Sequence, residues 1–156
     1  MTDRRLITVD FASVTGRIKP LHGMCNGPLS PGTDLGDLFI KMGVPCVRFA
    51  DAGGKQSRLY VNVSSIFPDA SADEYDTKNY RFAPTDTLMR AASESGARIV
   101  YRLGESDCGF GYALPQNPEK WTRVCANIIR HYNDGWADGM QLGLRDFEIW
   151  AKPDTM

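Results

Sequence analysis

The sequence predicts an α/β protein built on a parallel sheet covered by helices. Three features predict it. A unit of amphipathic helix, glycine, apolar strand and polar loop recurs along the 156 residues. Strands separated by helix-length segments pair in parallel rather than as hairpins. The longest connections follow strand ends, where parallel α/β folds place their binding sites. Length and an apolar fraction of 42% fit one globular domain over residues 1–156, with 1–18 as an N-terminal strand and turn segment.

Leu6–Phe11 alternates apolar and polar side chains and is rich in β-branched residues, which predicts a short, half-buried strand. Gly16 and Pro20 bracket a turn, and the apolar stretch from Pro20 breaks into glycines as a strand does when it ends in a loop. Asp34 can then cap a helix with Leu35, Leu38, Phe39 and Met42 on one face, and Gly43 can end it in a left-handed conformation. A buried strand over 44–49 follows. The second unit starts a helix near Thr85 or Asp86, sets Leu88, Met89 and Ala92 on one face and stops at Gly96; its strand is 97–103. The third helix is capped by Asn117, with Pro118 in its first turn. Trp121, Val124, Cys125, Ile128, Ile129 and Tyr132 then form one continuous stripe, and the next strand is 146–150. Four strands result, at roughly 20–30, 44–50, 97–103 and 146–150.

Composition excludes several classes. Net charge is −1, with Lys and Arg scattered, which argues against a nucleic-acid surface or an anionic membrane. No apolar run approaches the ~18 residues of a bilayer span, and the basic start lacks the apolar core of a signal peptide, so a cytoplasmic setting is expected. Cys25, Cys46, Cys108 and Cys125 form no CxxC pair and read as buried free thiols; His22 and His131 lie far apart in sequence. No glycine-rich phosphate loop opens a helix. Neither a metal nor a cofactor is expected.

Five stretches in order, KPLHGMCNGP (19–28), VSSIFPD (63–69), YRLGES (101–106), KWTRVCANIIRHYNDGWADG (120–139) and FEIWAKPD (147–154), resemble the catalytic domain of glycoside hydrolase family 39, the β-xylosidase and α-L-iduronidase type. The resemblance implies strands one to four of a (β/α)₈ barrel, with a carbohydrate site at the carboxyl ends of the strands. It places His22, Asn26, Asp51, Glu105, Trp150 and Asp154 as substrate contacts. The family's fourth strand ends in Trp-Asn-Glu-Pro, where the Glu is the acid/base. Here that stretch reads Trp150-Ala151-Lys152-Pro153, so Lys152 holds the acid/base position. Ala50 stands where the family usually has His, and Cys25 where it has Asn. The family's nucleophile lies on strand seven, beyond the four strands read here.

A retaining glycosidase needs two carboxyl groups ~5 Å apart, one to protonate the leaving oxygen and one to attack the anomeric carbon. Lysine, with a pKa near ~10.4, is a poor general base. Its ammonium also opposes the positive charge that develops on the sugar. Hydrolysis of a xyloside or uronide is therefore expected to be impaired, and a non-catalytic carbohydrate-binding or structural remnant of the fold is the alternative. An unrelated α/β domain of flavodoxin type is the third reading. Asp51 and Glu105 read either as loop acids or as acceptors for sugar hydroxyls, and His22 as a sugar contact or a structural histidine. Glu148 shares strand parity with Trp150, so both are expected on one face, with Glu148 pointing into the barrel or pairing with an Arg. Four strands leave two open edges and an apolar inner face, which implies association with a second half or another copy, or further chain in a longer product.

Overall fold

The computed structural model describes residues 6–52, 60–105 and 115–150. Four strands, β1 (Met24–Cys25), β4 (Cys46–Phe49), β5 (Arg98–Leu103) and β6 (Asp146–Ile149), form one parallel sheet in the order β1-β4-β5-β6. A two-stranded antiparallel hairpin, β2 (Leu29–Ser30) and β3 (Thr33–Asp34), interrupts the first crossover. The helices are α1 (Gly36–Met42), the single turn α2 (Val63–Ile66), α3 (Ala83–Glu94) and α4 (Pro118–Asn133). β4, β5 and β6 are the strands the sequence predicts, trimmed at their ends; of the strand expected over 20–30 only Met24–Cys25 joins the sheet, and Leu29–Ser30 turns off into the hairpin.

The strand register sorts side chains by parity. Val47, Phe49, Ile99, Tyr101 and Leu103 share the helix-facing side and are buried in the core with Leu88, Met89 and Ala92 of α3 and Val124, Cys125, Ile128 and Tyr132 of α4. The opposite, inner face carries Cys25, Cys46, Arg48, Arg98, Val100, Arg102, Asp146 and Glu148. The expected apolar inner face is thus corrected. Arg48 pairs with Glu148 and Arg98 with Asp146, so this face is largely paired charge, with Arg102 besides, rather than exposed hydrocarbon.

Local signals account for the helices. The Asn117 side chain accepts from the Lys120 N–H at 3.0 Å, and Pro118 opens α4. Gly43 and Gly96 end their helices at φ +57° and +78°, a region that side-chain-bearing residues avoid. Asp34 accepts from the Gly36 N–H at 2.9 Å, capping α1 from two residues upstream. The α1 stripe departs from expectation. Phe39 is buried, but Leu35, Leu38 and Met42 are exposed, because no element among the described residues covers that side of α1. Helix α3 starts at Ala83 rather than near Asp86. Asp86 instead accepts from Tyr132 Oη at 3.1 Å and lies 3.0 Å from His131 Nε2. His131 Nδ1 donates to the Trp136 carbonyl at 2.8 Å and the ring stacks on Phe82, tying α3, α4 and the following turn together.

Two further expectations are overturned. Leu6–Phe11 is not a strand; the large apolar side chains between Leu6 and Leu21 are 63–93% exposed, and no sheet edge lies beside them. Alternation alone cannot make a strand without a neighbour to complete its hydrogen bonds. Of the thiols, Cys125 is buried, and burial pushes its pKa up to about 12; Cys46 is half-buried and Cys25 exposed, while Cys108 lies outside the described residues. The long connection after β4 is not a bare loop either. Val61, Val63, Ile66, Phe67, Tyr80 and Phe82 from it are all core residues. Among the described residues no helix is long and apolar enough to cross a membrane.

Ile128 is fully buried where α4 meets the core. Ile128→Ala is expected to cost about 2–5 kcal/mol of unfolding free energy in urea denaturation; a loss below about 1 kcal/mol would contradict this packing.

Candidate functional site

The carboxyl ends of the four parallel strands lie at one end of the sheet, and there the chain places Asn26, Asp51, Glu105 and Trp150. Asn26 follows β1 with φ +66°, a conformation that Asn tolerates better than most residues. Its Oδ1 accepts from the Asp51 N–H at 2.9 Å and the Ala50 N–H at 3.3 Å, so the end of β1 holds the end of β4.

Arg102 is the fully buried charge of this end. Its Nε and Nη2 donate to the Ala50 carbonyl at 2.9 and 2.7 Å, and Nη2 also donates to Asn62 Oδ1 at 2.5 Å. Burial draws the Arg102 pKa down, while the carboxylates of Glu105, Asp51 and Glu148 oppose that shift from nearby. Glu105, one strand end over, accepts from the Ser64 N–H at 2.8 Å and the Ser64 hydroxyl at 2.7 Å. Burial raises its pKa above the usual glutamate range despite those two donors. Glu148 makes a bidentate pair with Arg48 at 2.6 and 2.7 Å, and this hydrogen bonding raises the Arg48 pKa.

The residues read from the sequence therefore separate into groups. Asn26, Asp51 and Glu105 converge with Arg102 at the carboxyl end. His22 does not join them. It precedes β1, its Nε2 lies 3.1 Å from the Gly43 carbonyl, and it belongs to the amino end of the sheet. Trp150 is at the correct end but turned. Its φ of +66° breaks strand alternation, so it does not share a face with Glu148; the ring is 7% exposed, against Trp121 of α4 at 5.6 Å. Ala151, Lys152 and Asp154 lie outside the described residues. In the sequence Arg102 is marked only by its spacing to Glu105, and Asn62 and Ser64 are site-end residues that it does not single out. The Arg-x-x-acid spacing shared by Arg48/Asp51 and Arg102/Glu105 was a signal for the arginine, but nothing local marks Asn62 or Ser64.

Chemically, this end offers the carboxylates of Asp51 and Glu105 as acceptors for hydroxyl groups, while the fully buried Arg102 holds the backbone that presents them. Glu105 is biased toward its neutral form by burial, whereas both oxygens of Glu148 are taken up by Arg48. Among the described residues no group of three or more His, Cys, Asp or Glu side chains is placed to hold a metal ion.

No protein-family model and no curated protein sequence matches this chain. A crystal structure of a glucosidase from Croceicoccus marinus aligns with 90% of the chain at a TM-score of 0.74 and 31% sequence identity. The chain spans 30% of the length of that glucosidase chain. The fold is therefore glycoside hydrolase-like: a parallel sheet with its helices, as in part of an α/β barrel.

Two predictions test this geometry. A Cβ on Gly104, at φ +116°, would sit 2.6 Å from Trp150 Cε3. Gly104→Ala is thus expected to cost about 1–3 kcal/mol in urea unfolding and to shift Trp fluorescence; an unchanged midpoint would contradict the close approach. Glu105 binds its proton more tightly folded than unfolded, so its contribution to stability is present at low pH. That contribution is lost as pH rises from the unfolded value of about 4.3 through the raised folded value. Glu105→Gln should flatten this part of the stability–pH curve, and an equally steep fall in the variant would count against it.

Proposed function

We propose that this chain is a family 39-like glycoside hydrolase barrel segment, comprising strands one to four, that binds a glycoside over the carboxyl ends of β1, β4, β5 and β6 and hydrolyses it poorly or not at all. The supporting observation is the convergence of Asn26, Asp51, Arg102 and Glu105 at one end of a sheet that aligns with a glucosidase. The carboxylates of Asp51 and Glu105 match the hydroxyls of a sugar. A xyloside or uronide is the substrate class that the sequence motifs support, and the glucosidase neighbour adds a glucoside.

Lys152 occupies the position of the proton donor in the Trp-Asn-Glu-Pro stretch. An amine there stays protonated, cannot take the proton back in the second half of a retaining reaction, and repels the oxocarbenium-like transition state. One observation favours the purely non-catalytic form of this reading. Glu148, the carboxylate on the same strand, is committed to Arg48 through both of its oxygens, so neither is free to meet a leaving oxygen.

Aryl β-xylosides, aryl α-iduronides and aryl glucosides incubated with the purified chain are expected to be cleaved at or near the buffer rate. Calorimetric titration with the parent sugars is expected to show binding that Asp51→Ala weakens about tenfold, the loss of one hydrogen bond to a charged group. Turnover that disappears in Lys152→Ala would overturn the impaired reading; no binding of any of these sugars would overturn the site.

A further inference from the structure

We infer that Asp86, His131 and the Trp136 carbonyl form a proton-operated clasp. The folded chain holds one proton there that the unfolded chain gives up near neutral pH, and the clasp slackens as pH rises. The device involves only α3, α4 and the turn that follows α4, and it is independent of the sugar reading.

The first observation is what the imidazole faces. His131 is 1% exposed, so water serves neither ring nitrogen. Nδ1 lies 2.8 Å from the Trp136 carbonyl oxygen, and Nε2 lies 3.0 Å from Asp86 Oδ1. A carbonyl oxygen only accepts, and so does an ionised carboxylate. A neutral imidazole has a single N–H. Beside an ionised Asp86, one of its two contacts would therefore set lone pair against lone pair. Both are hydrogen bonds only when one further proton is present, on Nε2 or on Asp86. Tyr132 does not supply it. Its Oη donates to the same Oδ1 at 3.1 Å, and burial pushes its pKa well up, so the phenol keeps its own proton.

The second observation is the surroundings. Phe82 covers the imidazole face at 3.5 Å, with Tyr80 and Trp136 packed beyond it. Asp86 is 24% exposed and opens on a cleft of about 380 Å³ lined also by Arg90, Glu94 and Asp138. The proton thus exchanges with solvent through the carboxylate. Arg90 opposes an added proton, while Glu94 and Asp138 favour it. Arg130 of α4 lies over the Trp136 ring at 5.7 Å, and Tyr101 of β5 packs against Tyr132.

The third observation is what the clasp holds. After Trp136, Ala137 and Asp138 both take left-handed backbone, at φ +56° and +58°, a region that such residues avoid. Gly139 then runs so close to α4 that an added Cβ would overlap the His131 carbonyl. That carbonyl accepts from the Met140 N–H at 2.7 Å, and the Tyr132 carbonyl accepts from the Leu142 N–H at 2.8 Å. The Nδ1 donor fixes the carbonyl at the entry to this strained turn. Losing the proton costs either that tie or the one to α3.

The sign follows from proton counts. Below the imidazole range, about pH 6.5, the unfolded chain carries this proton too, and stability from this source is flat. Above it only the folded chain holds the proton, so stability falls as pH rises until the clasp releases it.

Urea unfolding midpoints of the 156-residue chain, measured from about pH 6.5 to about pH 8, should fall across that range. Asp86→Asn should abolish the fall, because an amide N–H then donates to Nε2 and no extra proton is needed. Glu105 is unchanged in this variant, so its own pH dependence is common to both curves. A parent midpoint that does not move, or a fall that Asp86→Asn leaves equally steep, overturns the proposal. A second measurement needs no variant: ¹⁵N and ¹³C NMR of the parent chain at about pH 7.5, above the imidazole range. Protons on both His131 nitrogens, or a protonated Asp86 carboxyl, support the clasp; a neutral ring beside an ionised Asp86 overturns it.

Discussion

The carboxyl end of this sheet depends on one buried guanidinium. Arg102 leaves the central strand β5, donates twice to the Ala50 carbonyl at the end of β4 and once to Asn62 in the connection that follows. A charge with no solvent exposure must be compensated where it stands, because an uncompensated buried charge costs several kcal/mol. The backbone of β4 and the Asn62 side chain are therefore constrained to come to Arg102. Asn26 holds the same stretch from the other side through the N–H groups of Ala50 and Asp51. Three strand ends are thus locked by polar contacts rather than by hydrocarbon, and Asp51 and Glu105 are presented from fixed backbone.

The two faces of the sheet are built by different forces. Helices α3 and α4 press Leu88, Met89, Ile128 and Tyr132 onto Val47, Phe49, Ile99 and Tyr101, and burial of that hydrocarbon supplies the drive to fold. Among the described residues no helix packs on the inner face, and Arg48 with Glu148 and Arg98 with Asp146 pair along it instead. Part-exposed pairs of this kind contribute little stability, typically below about 1 kcal/mol each.

Most of the fold was legible in the chain, and the reason is local. Helical spacing from Trp121 to Tyr132, the Asn117 cap and the glycines at 43 and 96 act within a few residues, so reading them needs no tertiary knowledge. The misreadings share the opposite cause. Leu6–Phe11 has strand chemistry but no neighbouring strand, and Trp150 has the parity of Glu148 but a left-handed backbone that swings its ring onto Trp121. His22 sits beside a glycine near a strand, yet at the amino end rather than the carboxyl end, because β1 begins two residues after it.

Sequence by itself determined the α/β class, the strands β4, β5 and β6 and the helices α1, α3 and α4. These follow from periodicity, capping and residue identity, all of which are properties of short stretches. Only the tertiary structure decided that Arg48 reaches Glu148 across the central strand, that Arg102 gathers Ala50 and Asn62, and that Glu105 is held by Ser64. Those contacts join residues about 40 to 100 positions apart, and no local pattern encodes a distance that only chain packing creates.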